Sequence, residues 1–168
     1  MDLLEETVVP EAARGVKQEA REFAQEHIEP NAHEYFQRGE YPMEILEAGM
    51  EAGLVAQDIG EEYGGRGFSL EQVLAIAEEF YKADAGIALS LQLASFGAEI
   101  LEDHGNEEQK AEYLRPVAEN EQITGLAVSE PQTGSDLAGM STTADKDGDE
   151  YVLNGEKYWI GNGVEADW

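Results

Sequence analysis

Apolar residues recur at steps of three and four from Ala12 through Val16, Ala20, Phe23 and Ala24 to Ile28, and again through Met43, Ile45, Leu46 and Met50. A stripe of that period can be buried only as one face of a helix packed on other helices. The first two thirds of the chain is thereby committed to a helical layer. Helix start and stop marks sit at matching offsets. Pro10 suits a first turn, helix one should run to about Pro30, a short helix should cover His33 to Gln37, and Pro42 should open a helix that Gly53 closes. Beyond the glycine-rich loop EEYGGRGFS, Ser69 with Gln72 reads as a capping box, and Asn106 with Gln109 as another whose helix meets Pro116. Between them GIALSLQLASFGAEIL, Gly86 to Leu101, is apolar or small almost all round, which predicts one helix buried on every side.

The period changes near Glu121. Ile123 to Ser129 and Leu137 to Ala144 read as strands, and Asp147-Gly148 as a tight turn. Tyr151 to Leu153 then leads to a second turn at Asn154-Gly155 and a last strand from Lys157 to Ile160. The expected fold class is α+β, an N-terminal all-α helical domain over 1–121 followed by an antiparallel β-domain over 122–168. That β-domain is expected to be incomplete, because Trp168 arrives before there are strands enough to cover a sheet.

With 168 residues, 42% of them apolar, the chain can build one or two packed domains. Its formal charge of −27 comes from 37 acidic residues against 10 basic ones, interleaved with apolar positions instead of forming a block. Such a surface repels phosphates, so nucleic acid and anionic membranes are excluded as partners. The acidity fits either an ordinary acidic protein or adaptation to molar salt, where the Debye length falls to about 3 Å and dense like charge is tolerated. Salt adaptation is the reading favoured here. Without cysteine there is neither a disulfide nor a thiolate site, and His27, His33 and His104 lack the paired spacing of metal ligands. The N-terminus shows no basic segment followed by an apolar run, and about 18 apolar residues never follow one another, so a cytoplasmic protein is expected.

Against this acidic background SEPQTGSDLAG, Ser129 to Gly139, is small, hydroxyl-bearing and turn-forming. It can be a plain connection between strands. It can equally present successive backbone N–H groups, with Gly134 and the hydroxyls of Ser129 and Ser135, to the polar edge or phosphates of a cofactor. Gly161, Gly163 and Ala166 spell G-x-G-x-x-A, yet the strand before them belongs to a meander and no helix follows, so a dinucleotide fold is a weak match. Trp159 is either core packing or a flat wall against an aromatic ligand. Glu78 and Glu79 read as solvated helix-face charges.

Taken together, AVSEPQTGSDLAG (Ala127 to Gly139) and NGEKYWIGNG (Asn154 to Gly163) resemble the two linked signatures of the acyl-CoA dehydrogenases. HGNEEQKAEYLRPVAENE (His104 to Glu121) and EEYGG (Glu61 to Gly65) extend the resemblance into the helices. It implies an enzyme that holds FAD between domains and dehydrogenates acyl-CoA thioesters between Cα and Cβ. Carried over by position, Leu126, Ala127, Val128, Ser129, Glu130, Gly134 and Ser135 would contact FAD, and Trp159, Ile160 and Gly161 would lie against the flavin. Ser135 would also approach the acyl-CoA, and Leu89, Gln92, Leu93 and Phe96 would wall the acyl chain, unless they are simply core. The family's base, a glutamate of a C-terminal helical bundle, is expected outside this chain, which leaves no catalytic residue to name. An electron-transfer flavoprotein is the partner implied, and a homo-oligomer is implied for the full-length enzyme. The alternative is a helical binding or assembly module that keeps the fold without the chemistry. Two positions depart from the pattern. Thr133 replaces a smaller residue, and Gly161 replaces a threonine, removing a hydroxyl and leaving a backbone N–H in its place.

Overall fold

The computed structural model describes residues 9–168; residues 1–8, on which the reading of the N-terminus partly rests, lie outside the described residues. Helix α1 (Glu11–Phe23) continues through a π turn, Ala24–Ile28, and buries Ala13, Val16, Ala20, Phe23, Ala24 and Ile28 on one face. The stripe is thus the one read from the sequence, except that Ala13 instead of Ala12 faces inward. Helix α2 (Ala32–Arg38) ends at Gly39, and α3 (Met43–Glu51) is followed by Gly53 in the left-handed region. Helix α4 (Leu70–Ala83) opens as the capping box predicted, with the Ser69 N–H donating to Gln72 Oε1 at 3.0 Å. It packs on α1 through Ile76 and Phe80, whose ring lies 5.4 Å from that of Phe23.

The segment 86–101 is not one buried helix. Helix α5 (Ala85–Gln92) tightens into a 3-10 turn, Leu93–Ser95, and breaks at Phe96 and Gly97 before α6 (Ala98–His104). Gly97 takes φ +104°, a conformation that side-chain-bearing residues rarely adopt. The break frees two carbonyls that a continuous helix would use internally. Ala94 O accepts the Thr124 N–H at 2.7 Å and Phe96 O accepts the Thr124 hydroxyl at 2.9 Å. Nor is the segment buried all round, since Leu89, Phe96 and Ile100 are each nearly half exposed. Helix α7 begins at Glu107–Gln109 under the Asn106 cap, passes a π turn, Lys110–Leu114, and ends as Arg115–Ala118. It therefore runs past Pro116 instead of stopping there, the wide turn falling where the proline ring would crowd the carbonyl four residues earlier.

After Glu121 the backbone is extended but forms one ladder only. Strands β1 (Thr143–Asp147) and β2 (Glu150–Asn154) pair antiparallel, Thr143 opposite Asn154 and Asp147 opposite Glu150. The connection is Gly148–Asp149, one residue beyond the predicted turn, and Asn154 ends the ladder without turning into another strand. Residues 123–129 form no strand because their bonds go to scattered partners: Ile123 N–H to the Asp167 carboxylate, Thr124 N–H to Ala94, and Gly125 N–H to Trp168 O. Leu137–Gly139 is a 3-10 turn, and the stretch 157–160 is broken by Trp159 at φ +58°. Gly161 to Ala166 is a turn in which Asn162 O accepts the N–H groups of Glu165 and Ala166, so the G-x-G-x-x-A match opens no helix. The class is α+β as expected, a helical layer with one small antiparallel ladder.

Glu79 is the other correction. Glu78 is exposed, but Glu79 is 5% exposed and bridges Arg21 Nε at 3.0 Å, Lys82 Nζ at 3.0 Å and Lys17 Nζ at 3.4 Å. Burial raises its pKa, but bonds from Arg21 and Lys82 outweigh burial and hold it at about 2. Helical spacing placed Glu79 beside Phe80 and so on the inward edge, where only pairing makes a charge tolerable.

Candidate cofactor face and acyl pocket

The two glycine-rich motifs, some thirty residues apart in sequence, lie side by side. The Tyr158 N–H donates to Ser129 O at 2.8 Å, and Lys157 Nζ donates to Val128 O at 3.0 Å. Gly125 sits close enough to the second motif that a Cβ on it would meet Gly161 O at 3.3 Å. Asn162 Nδ2 donates to Ser90 O at 3.2 Å, tying the second motif to α5.

What holds the first motif in shape is Glu130. Its side chain is 1% exposed and its carboxylate accepts from Lys157 Nζ at 2.8 Å, from the Ser141 N–H at 2.6 Å and hydroxyl at 2.9 Å, from the Thr142 N–H at 3.0 Å and from Gln132 Nε2 at 2.6 Å. These bonds, Lys157 foremost, hold its carboxyl well below the usual carboxylate range. The Glu130 side chain, expected at the cofactor, is spent on the loop itself. Lys157 escaped notice in the sequence, although a cation inside a motif of so acidic a chain was a usable signal.

The remaining residues of the first motif are differently placed. Val128, Ser129 and Leu126 are half-buried and Ala127 is exposed, and none of the four backbone N–H groups donates to any group among the described residues. Beside them stands Trp159, 90% exposed and outside the core, with its backbone in the left-handed region. Ile160 is partly exposed and Gly161 half-buried. Donors without a partner among the described residues, on a segment bonded to Tyr158 next to the exposed Trp159, suit a flat ring system with an acceptor edge. Gly134 and Ser135 lie on the exposed turn beyond Glu130, and among the described residues no hydrogen bond joins them to 159–161.

A cavity of about 270 Å³ lies between residues 54–58, α4 and the end of α5. Three of the four expected acyl-pocket residues, Gln92, Leu93 and Phe96, line it; Leu89 does not and faces outward. Leu93 also backs onto the second motif. A Cβ on Gly161 would stand 2.3 Å from Leu93 Cδ1, so the glycine that departs from the family pattern makes room for this leucine.

The family model of the acyl-CoA dehydrogenase N-terminal domain matches residues 10–121, and that of the middle domain matches residues 125–168. The chain belongs to the acyl-CoA dehydrogenase family. It is 40% identical to the probable acyl-CoA dehydrogenase YngJ of Bacillus subtilis over 152 residues, 90% of this chain and 40% of that protein. Among solved structures it superposes with TM-score 0.88 at 34% identity, over 99% of this chain and 43% of the other, on a chain from work on the electron transferring flavoprotein of Acidaminococcus fermentans. It also superposes with TM-score 0.88 at 28% identity on a glutaryl-CoA dehydrogenase of Mycobacterium smegmatis in complex with FADH2, over 96% of this chain and 42% of that one. The chain thus spans about two fifths of the length of the curated relatives it matches.

Proposed function

We propose that this chain contributes the cofactor face and part of the acyl pocket of an FAD-dependent acyl-CoA dehydrogenase. In this reading residues 1–121 form the helical domain and 122–168 the opening of the β-domain. The observation that carries it is the run of four N–H groups, Leu126 to Ser129, without partners among the described residues, on a segment bonded to Tyr158 next to the exposed Trp159 and Ile160. Those amides would hold the acceptor edge of the ring, and Trp159 with Ile160 would cover one face and keep water from it. FAD, when bound, supplies the acceptor for the hydride leaving Cβ. Ser135 would lie toward the acyl-CoA, and Leu93 with Phe96 would bound its acyl chain.

The α-proton is not assigned to a base among these residues. Glu79 and Glu130 are both held ionised by cations, which makes them poor proton acceptors. Likeness to a chain from work on the electron transferring flavoprotein of Acidaminococcus fermentans supports such a flavoprotein as the partner that reoxidises the flavin. Assembly into a homo-oligomer, a cytoplasmic location and adaptation to high salt belong to the same proposal. Among the described residues no helix is long and apolar enough to cross a membrane. If the salt reading holds, helical circular dichroism rises on titration with salt; a fold already complete in dilute buffer refutes it.

The test is titration of the purified chain with FAD, using a Trp168→Phe variant so that Trp159 is the only indole. Saturable quenching of Trp159 supports the reading, and added acyl-CoA then reports on flavin bleaching. Intact helical circular dichroism with no FAD binding overturns it and leaves the helical binding module.

A further inference from the structure

The 270 Å³ cavity has apolar walls in Val73, Ile76, Phe80, Leu93 and Phe96, yet Gln57 and Gln92, each with a primary amide, also line it. Gln57 is only 7% exposed, and its side chain makes no hydrogen bond to any described residue. Its one engaged group is the backbone carbonyl, which accepts the Phe68 N–H at 2.9 Å. Gln92, on the opposite element, likewise has a side-chain amide with no partner among the described residues, and Ser95 adds a hydroxyl. A primary amide carries two donors and a two-lone-pair acceptor. Neither amide is among the fully buried unpartnered groups, so water meets both while the pocket is empty; an apolar occupant displaces that water without replacing its bonds, whereas a hydrogen-bonding one replaces them.

Charge narrows the class of that occupant. Among the described residues no Lys or Arg lines the cavity, while Asp58 does, and the whole chain carries −27. A carboxylate brought there would be desolvated without a counter-charge and opposed by Asp58. A hydroxyl or carbonyl meets neither objection, because both amides can give and accept. Position along the acyl chain follows from Leu93, which lines the cavity and also packs on Gly161 of the second motif. The thioester belongs on the Gly161 side of that leucine, and the polar group belongs farther in.

Resting on the acyl-pocket reading above, we propose that this cavity selects acyl-CoA thioesters whose chain bears a neutral hydrogen-bonding group, a hydroxyl or a carbonyl, remote from the thioester. Plain alkyl chains bind less well and ω-carboxyacyl chains worst. A pocket built to hydrogen-bond a substrate hydroxyl discriminates strongly against the analogue that lacks it, because the pocket's own polar groups are then left unpaired.

The experiment measures binding of the purified chain, with FAD present, to matched acyl-CoA, ω-hydroxyacyl-CoA and ω-carboxyacyl-CoA at each chain length by calorimetry. At the length that fits best, the hydroxyl form should bind at least tenfold tighter than the plain form, and the carboxylate form weaker than both. Gln57→Leu should erase the hydroxyl preference by tightening plain acyl-CoA binding toward that of the hydroxyl form, and Gln92→Leu should reduce it. Equal or tighter binding of the plain chain, or a preference for the carboxylate, overturns the selectivity and leaves the acyl-pocket reading standing. Binding of none of the three series overturns both. The wild-type ratios decide the matter even if the Gln57→Leu chain does not fold.

Discussion

The two ends of this chain are held by different forces. Residues 13–123 supply every member of the buried apolar core, with Phe80, Ile28, Leu46, Ile76, Leu91 and Leu114 fully enclosed. From residue 131 to residue 168 no side chain is buried, and both strands of the ladder are exposed on both faces. Apolar burial orders the first region. The second relies on a charged carboxylate, Glu130, and on polar bonds to the break in the α5–α6 segment. A two-stranded ladder alone is marginal in water, so the second region is ordered mainly by polar bonds, some of them to distant residues such as Ser90 and Ile123, with Trp168 packed on the core.

The contrast predicts where substitutions will be felt. The largest effect is expected from Phe80→Ala, which empties a fully buried ring site between α1 and α4 and should cost about 3–5 kcal/mol in urea unfolding. A loss below about 1 kcal/mol would mean that the helical layer is not the source of stability. Glu79→Gln should cost less, about 1–3 kcal/mol, because Lys17 keeps Glu78 and half-exposed Lys82 keeps water. It also carries a pH signature. Since the folded pKa of Glu79 lies at about 2, below its ordinary value of 4.5, its stabilisation is complete above pH 4.5 and fades as pH falls toward 2. The variant's stability should lack that component, and an unchanged pH profile would refute the ion network.

Glu130→Gln should sharpen the comparison by separating the two regions. The helical unfolding midpoint should hold while amide exchange over 130–142 and 157–158 accelerates and FAD affinity falls; a matching drop in the helical midpoint would show the regions to be one unit. The smallest effect is expected from Leu153→Ser on β2, within about 0.5 kcal/mol, because that side chain is 73% exposed. A larger loss would show a covered face that the isolated chain does not display.

Legibility in the sequence divides along the same line. The helix starts at Pro10, Ser69 and Asn106, the face through Val16, Ala20 and Phe23, and the change of period near Glu121 are local patterns, and all were readable. The break at Phe96 and Gly97 was not, because it answers a need set by Thr124, 28 residues away. At the site, the motifs announced themselves, but the role of Glu130 could not be read from its own position. Its partners Ser141, Thr142 and Lys157 come from three places in the chain. Gln57 gave no signal at all, since an amide in a loop is unremarkable until packing places it in a cavity wall.

By itself the sequence determined the helical layer, the family and the two segments that would form the cofactor face, because period, capping and motif spacing are short-range properties of the chain. Only the tertiary structure decided that Glu79 is enclosed, that Leu93 fills the space Gly161 vacates, and that Gln57 and Gln92 share one cavity. Burial and pairing are properties of groups distant in sequence, and folding alone brings them together.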